Sequence, residues 1–149
     1  MWYKGKLTDD IYKLKWKIQR FNRGYSDSDA WSIRDWFLLT MPKILDTMRF
    51  NLHGYPGNMT DEEWELILSR MSFCFKEAHE DTCSKVNEYE DAFDINFKRN
   101  DDGTYRAEVT NEEMRDKWTA RQKEIDAYRE ENLKEGLDLF KEYFWDLWD

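Results

Sequence analysis

The stretch Thr60-Asp61-Glu62-Glu63-Trp64-Glu65-Leu66-Ile67-Leu68-Ser69-Arg70-Met71-Ser72-Phe73-Cys74-Phe75-Lys76-Glu77-Ala78 decides the fold. Thr60 and Glu63 stand three apart, the spacing of a capping box, in which each side chain answers the other's backbone N–H. Trp64, Ile67, Leu68, Met71, Phe75 and Ala78 then recur at steps of three and four. That period puts them on one face of an amphipathic helix. The helix is predicted to end near residues 84–88.

Downstream the period changes. Phe93, Ile95 and Phe97 alternate with polar residues, and so do Tyr105, Ala107 and Val109. Between them lies Asn100-Asp101-Asp102-Gly103. Period two on both sides of an Asp-Gly turn predicts a β-hairpin at about residues 93–109, with one face on the helices. Thr110-Asn111-Glu112-Glu113 reads as a second capping box. A single long helix, or two collinear ones, is predicted over 111–148. Met114, Trp118, Ile125 and Tyr128 form a narrow seam on its first half, while Leu133, Leu137, Phe140, Phe144 and Leu147 line the second.

Upstream, Ser26-Asp27-Ser28-Asp29 resembles a capping box with Asp in place of Glu. Ile33, Phe37, Met41, Ile44, Met48 and Leu52 trace one face of the helix that follows, and Trp36, Leu38 and Leu45 a second. Pro42 is expected to kink or split it, with Thr40 capping the second piece. His53-Gly54-Tyr55-Pro56-Gly57-Asn58 is a loop. Before Ser26, Ile11, Leu14, Ile18 and Phe21 predict an amphipathic helix over about 9–22, with Thr8 at its N-cap and Gly24 just past its end. The reading is a mainly α domain over 1–149, a bundle of four to five helices with one small hairpin. Its predicted core holds Phe37, Ile44, Met48, Trp64, Ile67, Leu68, Met71, Phe75, Leu137, Phe140 and Phe144.

Composition narrows the function classes. The chain has 149 residues and a net charge of −9. Residues 1–25 form a basic amphipathic segment with seven basic residues against two acidic, whereas residues 61–113 hold sixteen acidic against six basic. The basic segment interleaves Trp2, Tyr3, Tyr12, Trp16 and Phe21, a pattern proteins use on single strands. The acidic total makes nucleic acid an unlikely partner. The longest apolar run, Trp36-Phe37-Leu38-Leu39, is far short of a membrane span. The stretch from Met1 to Lys6 has no apolar signal core, and two cysteines suit a reducing compartment. Aromatic residues reach 17% and outnumber Leu, Ile and Val together. They suit both a rigid core and an interaction surface.

Reaction chemistry is sparse. His79 and Cys83, four apart on the predicted helix, are the one pair with metal-ligand spacing. No second Cys/His pair completes a site, so no metal or cofactor is expected. The paired carboxylates, such as Glu80-Asp81 and Glu130-Glu131, lie in hydrophilic stretches and read as solvated faces. No phosphate-cradling loop or nucleophile elbow occurs. The chain is therefore expected not to be an enzyme.

Three groups of residues carry a resemblance. They are Arg23-Gly24-Tyr25-Ser26-Asp27 with Trp31; His53-Gly54-Tyr55-Pro56 with Met59-Thr60-Asp61-Glu62-Glu63-Trp64; and Glu135-Gly136-Leu137-Asp138-Leu139-Phe140 with Tyr143-Phe144-Trp145-Asp146-Leu147-Trp148-Asp149. From Trp16 onward the chain resembles a family of small bacteriophage and prophage proteins of unknown function. The resemblance brings no activity, cofactor or catalytic residue. It implies a viral protein acting in the host cytoplasm. The expected role is protein–protein interaction, with a host or phage protein or with a second copy as a homodimer. Trp118, Ile125, Tyr128, Phe97 and Tyr105 are its expected surface. The alternative is an acidic mimic of nucleic acid or a nucleic-acid-linked factor, and a metal-dependent enzyme is the least favoured.

Overall fold

A computed structural model describes residues 3–51 and 54–148, with side chains from residue 9 onward. Trp2, Leu52, His53 and Asp149 lie outside the described residues, as do the side chains of Tyr3 and Thr8. The architecture is mainly α, as the sequence predicts. Helices α1 (Tyr3–Arg23), α2 (Asp27–Trp31), α3 (Ile33–Phe50), α4 (Asp61–Ala78) and α5 (Glu112–Glu142) are joined by one antiparallel hairpin, β1 (Ile95–Arg99) and β2 (Tyr105–Val109).

The core forms where α4 lies between α3 and α5. The Thr60–Glu63 capping box starts α4 as expected. Trp64, Leu68, Met71, Phe75 and Ala78 are buried along it and meet Leu38 and Leu45 of α3. Phe37, Met48, Ile67 and Phe140 pack on this cluster partly buried. Ile44, Leu137 and Phe144, predicted as core, are close to half exposed. In α3 the buried face runs through Leu38, Pro42 and Leu45, so Ile44 turns away from it. At Gly136 a Cβ would sit 2.9 Å from Phe75 Cε1 and 3.1 Å from Cys74 Cβ. The missing side chain is what lets α5 approach α4 this closely.

Several boundaries differ from the sequence reading. Pro42 does not split α3, and Thr40 caps nothing: the helix runs unbroken through the proline. Pro42 withholds only its own N–H and is buried on the core side, where its carbonyl accepts from Ser72 Oγ at 3.3 Å. The break falls at Ser32 instead (φ −134°, ψ 66°), whose hydroxyl donates to Asp35. α4 stops at Ala78, short of residues 84–88, because His79 turns extended and Arg129 Nε of α5 donates to the Ala78 carbonyl at 3.1 Å. A cation on the last carbonyls satisfies a helix end. The N-cap of α5 is Asn111, not Thr110. Thr110 instead closes the hairpin base, its N–H donating to the Asp94 carbonyl. α5 ends at Glu142, not residue 148, and a 3-10 turn (Phe144–Asp146) follows. α1 begins at Tyr3, ahead of residue 9, so Thr8 lies within it.

The hairpin pairs Ile95 with Val109 and Arg99 with Tyr105. Its loop spans Asn100 to Thr104, with Gly103 at φ +86°, a left-handed position that glycine adopts freely. Neither face lies on the helices, against expectation: β1 is exposed throughout, and Phe97 and Tyr105 stand in solvent. Contacts at its base, such as Phe93 on Trp118, hold it to α5.

Candidate interaction surfaces

The expected seam on the first half of α5 is occupied within the chain. Trp118 meets Phe93 edge-on, donates from Nε1 to Glu90 at 2.8 Å, and its carbonyl accepts from Asn87 at 3.1 Å. Ile125 is buried. Tyr128 donates to Glu77 at 3.0 Å. The segment 79–93, rather than the hairpin, covers this seam. Of the five residues expected at the surface, Phe97 and Tyr105 are the exposed ones, and they lie on the same face of the hairpin with Ala107.

His79 and Cys83 do not share a helix face, since α4 ends before them. His79 is buried, its Nδ1 accepts from the Asp81 N–H at 3.2 Å, and its Nε2 lies 3.7 Å from Asp35. Cys83 Sγ lies 3.9 Å from Glu77 and accepts from the Lys85 N–H. Among the described residues no group of three or more His, Cys, Asp or Glu is placed to hold a metal. Glu77 was not singled out by the sequence. Burial would push its carboxyl up, but hydrogen bonds from the Ser84 hydroxyl and N–H and from Tyr128 hold it below the ordinary range. It pins the 79–84 turn and α5 to α4. Other acids of the 61–113 stretch are likewise paired locally: Glu88 with Arg121, Glu108 with Lys98 and Arg106.

Among the described residues the open apolar surfaces include two on the helices. The first is a groove of about 450 Å³ between α3 and the C-terminal turn, walled by Met41, Ile44, Met48, Phe140, Phe144, Trp145, Leu147 and Trp148. A ladder of edge-to-face rings leads into it from the core. Phe75–Phe37, Phe37–Phe140, Phe140–Phe144 and Phe144–Trp145 have centroids 5.1, 5.8, 5.4 and 5.4 Å apart. Such pairs each contribute about 0.5–1.5 kcal/mol, so the groove wall is preorganised. At its mouth Trp145 is 86% exposed and Trp148 67%.

The second open surface is on α1, which is held inside out. Its polar face meets α2. Arg20 donates from Nε and from a terminal nitrogen to Asp29 at 2.9 and 2.6 Å. Gln19 exchanges two hydrogen bonds with Asp27, and Trp16 meets Trp31 edge-on. Asp29 also closes the Ser26 capping box, as the sequence predicts, and Gly24 (φ +81°) makes the turn that brings α2 back. The apolar stripe faces the opposite way: Ile11, Leu14, Ile18 and Phe21 are exposed by 60, 59, 52 and 91%.

The bonds from Arg20, joined by those from Ser26, hold the Asp29 carboxyl well below the ordinary carboxylate range despite burial. A depressed native pKa gives stability that is present above the ordinary value and lost as pH falls through the native one. The attachment of α1 is therefore expected to survive to about pH 4 and to release only in stronger acid. Asp29→Asn should loosen it at neutral pH, leaving only the Asp27 bonds and the Trp16–Trp31 contact. Hydrogen exchange of the α1 amides reads this, and equal protection in variant and wild type would contradict it.

The fold thus defines a mainly α bundle with a projecting hairpin, an inside-out first helix and an aromatic groove. No protein-family model, curated protein or solved structure matches the chain. Among the described residues no helix is long and apolar enough to cross a membrane.

Proposed function

We propose that this chain is a non-enzymatic bacteriophage protein that works by binding another protein in the host cytoplasm. The observation that carries the reading is the aromatic groove. Phe144 and Trp145 stand on the ring ladder and Trp148 lines the groove beside them, yet all three leave much of their surface in water. Tryptophans set on a rigid wall are the residues that dominate protein interfaces. Met41 and Met48 line the same groove, and methionine adapts to the shape of an incoming side chain. The fit is to a partner segment that inserts an apolar anchor. The resemblance in the three motif groups supports the phage origin, and the two free cysteines suit a reducing cytoplasm.

The test compares the wild type with Trp145→Ala and Trp148→Ala. A protein captured from infected host cells is purified and its affinity measured against each. Loss of about thirtyfold or more per tryptophan is expected of hot-spot residues. Affinity unchanged in both variants would overturn the groove as the binding site.

A further inference from the structure

Helix α1 is 21 residues long, three heptads. Along it Ile11, Leu14, Ile18 and Phe21 follow the alternating three–four spacing of a coiled-coil seam. With Ile11 and Ile18 at the first heptad position, Leu14 and Phe21 fall at the fourth, and Leu7 continues the series in sequence. β-branched residues at the first position with leucine at the fourth favour two parallel strands. All four described seam residues are uncovered, while the opposite face is fixed to α2.

We propose that α1 is a dimerisation helix, and that a second copy of this chain covers its seam as a parallel, in-register coiled coil. Charge supports this occupant and this direction. In a parallel pair, each residue just before the first heptad position faces the residue five further on in the other chain. Asp10 then meets Lys15 of the second copy, twice by symmetry, and Lys17 meets the neutral Asn22. An antiparallel pair of the same overlap would bring Lys15 close to Lys15 of the second copy. Lys15 also lies 3.2 Å from Asp27 of its own chain and is half exposed, so it can serve both carboxylates.

The geometry of the rest of the molecule agrees. The seam and the attachment to α2 lie on opposite faces of α1. Two bodies therefore sit on the outer sides of the pair, as a closed two-fold dimer requires. An isolated helix of this length is marginal in water. Here it is already held by Arg20, Gln19 and Trp16, so pairing does not have to order it. The inference stands apart from the groove and survives if the groove binds nothing.

The experiment is sedimentation equilibrium of the full chain over a dilution series. The wild type is expected to reach twice its 18.3 kDa monomer mass. Leu14→Glu should stay monomeric at every concentration while keeping its helical circular dichroism, since Leu14 touches no core. Asp10→Lys should weaken the dimer roughly tenfold, and Asp10→Lys with Lys15→Glu should recover most of that loss. A wild type that stays monomeric overturns the proposal, as does a dimer indifferent to Leu14→Glu. Recovery failing in the double variant overturns the parallel register. The same stripe flanked by lysines could suit an anionic lipid surface. A wild type that floats with phosphatidylserine vesicles but never dimerises would assign the face to lipid and overturn the second copy as its cover.

Discussion

Trp64→Ala is expected to destabilise the fold by about 3–5 kcal/mol. Trp64 is fully buried at the start of α4, where it meets the core cluster and stands edge-on to Tyr143, centroids 5.7 Å apart. Removing the indole deletes the largest buried side chain and the ring against which the C-terminal turn is set. Tyr143 packs on the same cluster and lines the space left behind, so the loss should lie within this range. Urea unfolding followed by circular dichroism reads it. The slope should be unchanged, so that the midpoint shift alone gives the difference. A shift worth less than about 1 kcal/mol would mean that Trp64 is not enclosed.

Gly136→Val is the second large effect, and its mechanism is the reverse, excess volume. The Cβ would press on the ring of Phe75 and on Cys74, both buried in α4. Neither neighbour is the far end of a flexible side chain, so relief requires α5 to move off α4. The expected loss is about 3 kcal/mol. Gly136→Ala has the same Cβ collision with two carbons fewer, offset by about 1 kcal/mol of helix propensity gained over glycine. Melting temperatures should therefore fall in the order glycine, alanine, valine. A valine variant that melts with the wild type would show that the helices do not approach this closely.

What the sequence disclosed follows from how local each signal is. The Ser26 and Thr60 capping boxes and the strand–turn–strand pattern of the hairpin are written within a few residues and stand as read, whereas the helix contact expected of one hairpin face does not form. The end of α4 is not legible in its own residues because a distant residue caps it. Arg129, more than forty positions away, ends α4, and no local breaker marks the place. The Ser32 break could have been found, since Ser32-Ile33-Arg34-Asp35 repeats the pattern of Ser26-Asp27-Ser28-Asp29. Pro42 is the stronger breaker by residue type, yet α3 runs through it with the ring buried on the core side. The stripe on α1 was legible as amphipathic, but its direction was not. Period shows that a helix has an apolar face, whereas the Arg20–Asp29 pair decides which way that face points. The seam at Trp118, Ile125 and Tyr128 was legible too, but its cover is the irregular segment 79–93, which carries no periodic signal.

The contact of α4 with α5 also sets the order of folding. The pair is tied by Arg70 to Glu135 at 2.6 Å and by Glu77 to Tyr128, groups more than fifty residues apart in the chain. Everything between, including the hairpin, is a loop that must close before these helices can meet. Contacts of such separation slow folding relative to a bundle of sequential neighbours. α3 and α4, joined by a short loop, are then the natural nucleus, and α5 docks later. The hairpin tip at Asp101-Asp102-Gly103 lies on that closing loop and touches no helix. Residues inserted there would lengthen the loop at little entropic cost, since each doubling adds only about 0.6 kcal/mol. The tip is thus a natural place to carry a reporter without disturbing the bundle.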